Sequence, residues 1–529
     1  MARSPRTRGF RAALGLALTG ALTASLALPS AAAADDELPE QWRSYWVDAF
    51  NPGIYNPAQV EKLVDDALAI NANALIVQTA RRYDCFCNRA LYPRTDAAIA
   101  PAPYDPLDKI IEKAHEAGLE VHAWVNVNTM WNNVNPPSSA DHVFNQHGPA
   151  ATGTDRWLNK KADGTEFVGA NAYIDPGHPD AVEYIVDAIQ SIVTEYDVDG
   201  INLDYVRYPD GSSTTTHSDW GYNDVAVARF QEATGRTEVP AASDPEWNDW
   251  RRAQVTNLVR KIYLGMWEVD PAVRLSMDAI TYGFGPQSVG GWEKTRTYAE
   301  VLQDWRGWQD EGIMDTVVAM NYKREWNPDQ ARMYDEWNEV LADWQGDRQS
   351  VSGPALYLND VEHSLEQLND LLIPTDAGNT VVGWSGYSYA NVSQTATASS
   401  DPAVKNAERD ALAETFTADG APFEDSAAVP AMDWKDTPTE GHVTGQLVTR
   451  SGDALDHVEV TLRPLTGGGE TLTRSSDGSG WFGFAHVPPG RYLVQADLPN
   501  GVVGKPVASV RVTAGDITSA DLSPLIQIR

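Results

Sequence analysis

The run Val198-Asp199-Gly200-Ile201-Asn202-Leu203-Asp204-Tyr205-Val206-Arg207-Tyr208-Pro209 puts polar side chains where a buried strand would otherwise stay apolar. At period two, Ile201, Leu203 and Tyr205 share one face, while Asn202 and Asp204 share the other. A parallel strand covered on both sides is normally apolar throughout. Inward polar groups near its carboxyl end are costly unless hydrogen-bonded or used in chemistry. Other strand-like runs end in the same way. They supply Asp48; Gln78 followed by Arg81-Arg82; His122, Trp124, Asn126 and Asn128 at period two; Ser276 and Asp278; Met320-Asn321-Tyr322-Lys323-Arg324-Glu325; and Trp384-Ser385-Gly386-Tyr387.

Carboxylates, amides and aromatics without a metal-ligand cluster form the inventory of glycoside hydrolysis. One carboxyl protonates the leaving oxygen and a second acts as nucleophile or activates water. Asp204, Asp278 and Glu325 are the catalytic candidates, and Asp48, Gln78, Trp124, Asn126, Asn202, Arg207, Tyr322 and Trp384 the substrate-binding ones. No metal site or cofactor is expected. Each candidate has a structural alternative. Asp204 could pair with Arg207 or Arg81, Asp48 could form a salt bridge at the mouth, and Glu325 could be a solvated loop charge. His122 reads as a satisfied core histidine and Asp199 as a turn residue. Trp131, Trp157, Trp220, Trp292 and Trp326 fall in loops after strands, where some could stack on sugar rings. Trp305, Trp308, Trp337 and Trp344 have the spacing of packed helix residues.

The positions of these residues follow from an alternation of strands and helices. Strands are expected at Arg43–Phe50, Ala74–Arg81, Glu120–Asn126, Gly200–Tyr205, Arg274–Ile280, Thr316–Tyr322, Ser350–Leu358 and Thr380–Ser385. Between them, Asn56-Pro57, Asp105-Pro106, His178-Pro179 and Asp244-Pro245 open helices at Ala58–Ile70, Leu107–Ala117, Asp180–Tyr196 and a long segment reaching Val269. Further helices are expected at Tyr298–Gln309, Asp329–Trp344, Ser364–Leu372 and Pro402–Phe416. Eight such units make an α/β chain with a (β/α)8 TIM barrel over residues 40–418. A doubly wound sheet fits less well, because no glycine-rich phosphate loop follows the first strand. Residues 419–440, rich in Ala, Asp, Pro and Thr, read as a linker. Short alternating strands over residues 441–529 read as a small all-β sandwich.

Arg3, Arg6, Arg8 and Arg11 before an apolar run to Leu28, then Ala31–Ala34, read as a secretory signal over residues 1–34. The expected mature protein is secreted and extracellular, with no membrane partner. The net charge of −34 argues against nucleic acid and anionic membranes as partners. It favours neutral or cationic ligands, although a solvated acidic surface explains the same number. Cys85 and Cys87 are the only cysteines, and in an exported chain they could form a local disulfide that clips a loop.

Residues Asp199–Pro209 resemble the fourth-strand signature of the glycosyl-hydrolase-like 10 family. Arg43–Asp48, Gly118–Asn126 and Ala319–Tyr322 support the likeness, which spans about residues 40–400. The resemblance implies a TIM barrel acting on glycans, with Asp204 as catalytic carboxylate and Asn126, Arg207 and Tyr322 around it. Some members of the family resemble enzymes that cut peptide-free peptidoglycan strands. Many relatives carry a Ser-Pro-Phe-Gly type ending where this chain has Ser276-Met277-Asp278-Ala279-Ile280, which leaves the role of Asp278 open. Ser475–Phe484 with Val487–Tyr492 resembles the carboxypeptidase-regulatory-like fold, whose modules are usually spacers without chemistry of their own. The sequence is read as a secreted, endo-acting hydrolase of O-glycosidic bonds in a polysaccharide or oligosaccharide. The alternative is a non-catalytic carbohydrate-binding or wall-associated protein on the same scaffold. A metal-dependent deacetylase is disfavoured, because no His-x-His ligand set is visible.

Overall fold

The computed structural model describes residues 38–529 apart from 467–468, 523–524 and 528–529. The expected signal segment, residues 1–34, lies outside the described residues. Eight parallel strands close a barrel in sequence order. They are β1 (Trp42–Val47), β2 (Ala74–Ala80), β3 (Glu120–Asn126), β4 (Gly200–Asp204), β5 (Arg274–Ile280), β6 (Thr316–Met320), β7 (Gln349–Gly353) and β8 (Gly383–Tyr387). The helices that follow them are α1 (Pro57–Ala69), α2 (Pro106–Glu116), α3 (Pro179–Glu195), α4 (Pro245–Val269), α5 (Trp305–Glu311), α6 (Pro328–Trp344), α7 (Val361–Leu371) and α8 (Pro402–Phe416). The TIM-barrel reading is correct. Asn56, Asp105, Asp244, Asn327 and Asp401 each precede a helix-opening proline. Each accepts a backbone N–H of the first turn, so the Asn/Asp-Pro pairs do start the helices.

The strands sort their side chains as the alternation requires. Leu75, Val77, Val121, Ala123, Ile201, Leu203, Leu275 and Met277 face the helices in the main core. Trp42, Trp46, Ile76, Trp124, Val318 and Val351 fill the barrel interior. Two glycines are set by this packing. A Cβ on Gly200 would lie 1.9 Å from the His122 ring, and one on Gly353 would lie 2.3 Å from the Trp46 indole. His122 is therefore a core residue, in contact with Glu120 (3.1 Å) and the edge of Trp42.

One expected helix differs. Instead of Tyr298–Gln309 there is a turn at Arg296–Ala299, then Leu302 at φ 53°, then α5. The break turns Gln303 under β5, where its side chain accepts from Ile280 N (2.9 Å) and donates to Asp278 O (3.4 Å). The helix Asp224–Thr234 and a three-stranded sheet in the loop after β3 are additions to the expected elements.

Residues 419–440 run across the amino ends of the strands. Phe423 is buried against Trp384, and Arg274 donates to Pro430 O (2.7 Å). Trp434 Nε1 and Lys435 Nζ both reach Asp315, at 2.7 and 2.8 Å. Beyond them a sandwich follows, with strands β9 (Gly441–Gln446), β10 (Glu459–Thr466), β11 (Leu472–Ser475), β12 (Trp481–Val487), β13 (Gly490–Ala496), β14 (Val507–Val512) and β15 (Ile517–Asp521). One sheet has the order β12-β9-β15 and the other β11-β10-β13-β14, around Val443, Val460, Leu462, Phe482, Phe484 and Val494. The sandwich lies along α4. Lys261 contacts Asp477 (3.1 Å), Trp267 Nε1 donates to Gly515 O (2.9 Å), and Trp250 Nε1 donates to His457 (2.5 Å).

Candidate active site

The carboxyl ends of the strands converge on a buried polar mouth. Register sets its height, with Asn126 opposite Asp204, Trp124 opposite Asn202, and Asn202 opposite Ser276. Asp204 ends β4, and the chain turns at once through Tyr205 at φ 51°, whose N–H donates to Asp204 Oδ1 (2.6 Å). Its Oδ2 accepts from Trp124 Nε1 (3.3 Å), an N–H shared with Asn126 Oδ1 (3.1 Å). Gln78 fixes Asn126 in turn, donating to Oδ1 (3.3 Å) while accepting from Ala49 N (2.9 Å). Asp278 Oδ1 accepts from Trp46 Nε1 (3.0 Å), and the neighbouring Asn202 donates to Ser276 Oγ (3.1 Å). Asp204 and Asp278 are 5% and 2% exposed.

Burial dominates the electrostatics of this pair. It raises Asp204 to about 6, against the opposing pull of Arg207, the Tyr205 N–H and the Trp124 N–H. Asp278 is pushed well above the ordinary carboxylate range, first by burial and then by the charge of Asp204, with Asn202 and Trp46 opposing. Two buried carboxyl groups that repel each other take up a proton between them more readily than either would in water. The arrangement can hold one protonated and one ionised carboxyl at neutral pH, which is what acid-base chemistry on a glycosidic bond needs.

Around the pair, Asp48 accepts from Phe50 N (3.0 Å) and from Asn51 Nδ2 (2.9 Å). The alternative in which Asp204 pairs with Arg207 or Arg81 is not seen: Arg81 pairs with Asp84 (2.8 Å) and Arg207 turns elsewhere. It bonds Asp210 (3.0 Å), which also accepts from Tyr282 OH (2.9 Å). Tyr322 lines the opposite wall with Tyr387 (5.1 Å between ring centroids) and Tyr357 (6.4 Å), above the edge of Trp46.

The structure thus brings together Asp204, Asp278, Asp48, Gln78, Trp124, Asn126, Asn202, Arg207 and Tyr322. Two expected residues lie elsewhere. Trp384 faces outward and is fully buried against Tyr45, Phe416 and Phe423; at that end of β8 it is Tyr387, paired in register with Trp46, that faces the mouth. Glu325 leaves β6 on the outer side, where its N–H donates to Asn359 (2.9 Å) and its carboxyl sits near Gln367, Asp370 and Asp335. Burial and those charges raise its affinity for a proton. Of the five loop indoles, Trp131, Trp157, Trp220 and Trp292 are buried packing residues, and Trp326 is 51% exposed. Trp46 and Tyr387 were not among the expected site residues. The alternation Trp42, Ser44, Trp46, Asp48 could have identified Trp46, whereas two glycines obscure the parity of β8. Cys85 and Cys87 form a disulfide in the loop after β2.

The chain has relatives among known proteins. The most similar include the glycosyl hydrolase YngK of Bacillus subtilis (strain 168), 26% identical over 324 residues, which cover 58% of this chain and 55% of that protein. The glycosyl hydrolase DigH of Escherichia coli (strain K12) is 25% identical over 271 residues, 48% of this chain and 53% of that one. The chain spans about half the length of the curated relatives it matches. Among solved structures, the PgaB (BpsB) glycoside hydrolase domain from Bordetella bronchiseptica aligns with a TM-score of 0.49 at 15% identity, over 70% of this chain and 98% of that domain. The family model Glycosyl hydrolase-like 10 matches residues 41–358, from β1 through β7 and including Asp204 and Asp278. On that match, which covers more than half of the sequence, the chain belongs to the Glycosyl hydrolase-like 10 family.

Proposed function

We propose that the protein is a secreted glycoside hydrolase that cleaves internal O-glycosidic bonds of a polysaccharide. The observation that carries this reading is the Asp204–Asp278 pair, two buried carboxyl groups in one barrel mouth, both with raised proton affinity. Asp278, the harder to ionise, holds the proton given to the leaving oxygen. Asp204 is the ionised partner that attacks the anomeric carbon or activates water. Trp124 and the Tyr205 N–H stabilise the Asp204 carboxylate, while Trp46 holds Asp278 in place. Gln78 fixes the Asn126 amide at the mouth and the buried Asn202 supports Asp278, while Tyr322 and Tyr387 offer ring faces to sugar. Internal cleavage belongs to this reading because several aromatic side chains, Tyr322, Tyr357 and Tyr387, cluster at the mouth and offer ring surface to more than one sugar. Export is supported by the basic-then-apolar leader in the sequence and by the Cys85–Cys87 disulfide, since such bonds persist in oxidising compartments.

The test is a panel of purified polysaccharides incubated with the protein, with new reducing ends counted and product masses read. Ladders of intermediate oligosaccharides are expected from at least one polymer. Monosaccharide alone would refute internal cleavage. Intact polymers throughout, with binding retained, would point to a carbohydrate-binding protein.

A further inference from the structure

Three arginines stand on the β2–β4 side of the mouth, and two of them are committed. Arg207 is paired with Asp210 (3.0 Å). Arg81 is paired with Asp84 (2.8 Å) and donates to Ala49 O (3.3 Å). Arg82 differs. Its backbone is pinned, the N–H to Asp84 Oδ1 (3.1 Å) and the carbonyl to His142 Nε2 (3.0 Å). Its guanidinium has no ion pair and no hydrogen bond among the described residues, and lies 5.0 Å over the Phe50 ring, itself 52% exposed. The nearby carboxylate of Asp84 is already shared by Arg81, Thr95 and the Arg82 N–H. Arg82 is half-buried; burial and then the charge of Arg81 disfavour its positive form, while the charge of Asp84 opposes them. The phenols of Tyr205 and Tyr173 are the other groups close enough to act on it.

A half-buried cation that shares its nearest carboxylate and forms no ion pair of its own gains free energy when a ligand supplies an anion. The guanidinium fork matches the planar carboxylate in a two-bond geometry. The Phe50 ring, which the Arg81 guanidinium also contacts at 4.9 Å, keeps about half its surface exposed and adds an apolar wall beside the cation. Given the net charge of −34, bulk electrostatics would repel an acidic polymer, so its recognition requires a local cation of this kind. We propose that Arg82 and Phe50 form a subsite for a carboxylate-bearing sugar next to the cleaved bond, so that the substrate is a carboxylated glycan.

This inference rests on the glycan reading above, and binding tests it without requiring turnover. Oligosaccharides of heparosan, polygalacturonate and alginate, each compared with its carboxyl-reduced counterpart, are titrated calorimetrically into the Asp204→Asn protein. In at least one pair the carboxylated form should bind on the order of thirtyfold more tightly, as for a charge-assisted two-bond contact. Adding Arg82→Gln should abolish the difference while leaving binding of the reduced form unchanged, and Arg82→Lys should restore part of it. The Arg82 head group makes no ion pair or hydrogen bond among the described residues, only the ring contact with Phe50, so Arg82→Gln should shift the thermal midpoint little. Equal binding within every pair, no binding of any carboxylated probe, or a difference that survives Arg82→Gln would each overturn the proposal. A persistent difference with no cleavage by the wild-type protein would sink the hydrolase reading and spare the subsite.

Discussion

Replacing Asp204 by asparagine should make the protein more stable as it becomes inactive. In the folded chain burial holds this carboxyl at about 6, against 3.8 when exposed. At about 1.4 kcal/mol per pH unit, an ionised Asp204 at pH 8 costs the fold about 3 kcal/mol. The sign follows from a raised folded-state value: the contribution to stability is fully present below pH 3.8 and is lost as pH rises through 6. Asparagine keeps the acceptor for the Tyr205 N–H but turns its own N–H towards Trp124 Nε1, forfeiting a bond worth about 1 kcal/mol. The net expectation is about 2 kcal/mol of stabilisation at pH 8, shrinking through pH 6 and gone by about pH 4. Urea unfolding followed by tryptophan fluorescence at pH 8, 6 and 4.5 measures it. A variant less stable than wild type at pH 8 would mean that the Asp204 charge is satisfied by an ion pair, contrary to the pairing of Arg207 with Asp210.

Other expectations follow from the same geometry. The pH dependence of kcat/KM should be bell-shaped, rising near pH 6 as Asp204 ionises and falling at higher pH as Asp278 loses its proton; a rate flat down to pH 4 would contradict this. Truncation after Glu440 should lower the thermal midpoint by uncovering Trp250, Tyr263 and Trp267 and removing the Asp477 partner of Lys261, yet leave turnover per folded molecule on short oligosaccharides unchanged. A fall in that turnover would show that the sandwich reaches the site. Burial holds His442 at about 3 and His486 at about 4, in a cluster with Tyr263, Trp267, Arg348, Lys435, Asp315 and Glu440. Their depressed values leave stability intact above about pH 6.5 and remove about 4 kcal/mol by pH 5. A His442→Gln/His486→Gln protein should lose most of that slope, and an unchanged slope would refute the assignment.

Much of this was legible in the residues, for identifiable reasons. Glu120–Asn126 and Arg274–Ile280 match their strands because alternation and flanking turn residues agree there. Asn/Asp-Pro pairs start helices because the cap and the fixed proline φ act locally. The inward set Trp124, Asn126, Asn202, Asp204 and Asp278 follows from the period-two pleat alone. β8 was misread because Gly383 and Gly386 interrupt its pattern, and a slip of one residue exchanges the buried face for the open one. Glu325 lies past the end of β6, where chain direction depends on Asn359 and Gln367, contacts no local pattern encodes. The break at Leu302 is equally silent, since leucine carries no signal for a left-handed backbone. The partner of Arg207 is Asp210, three residues on, and only the turn after Tyr205 brings the two together.

The central claim is that Asp204 and Asp278 together carry out glycosidic bond cleavage. The most direct measurement is kcat on the best polysaccharide from the panel for wild type, Asp204→Asn and Asp278→Asn, with bound substrate quantified by tryptophan fluorescence in the same samples. Each variant should bind like wild type and turn over on the order of a thousandfold more slowly, about 4 kcal/mol of transition-state stabilisation. Near-wild-type turnover by either folded, substrate-bound variant would contradict the account.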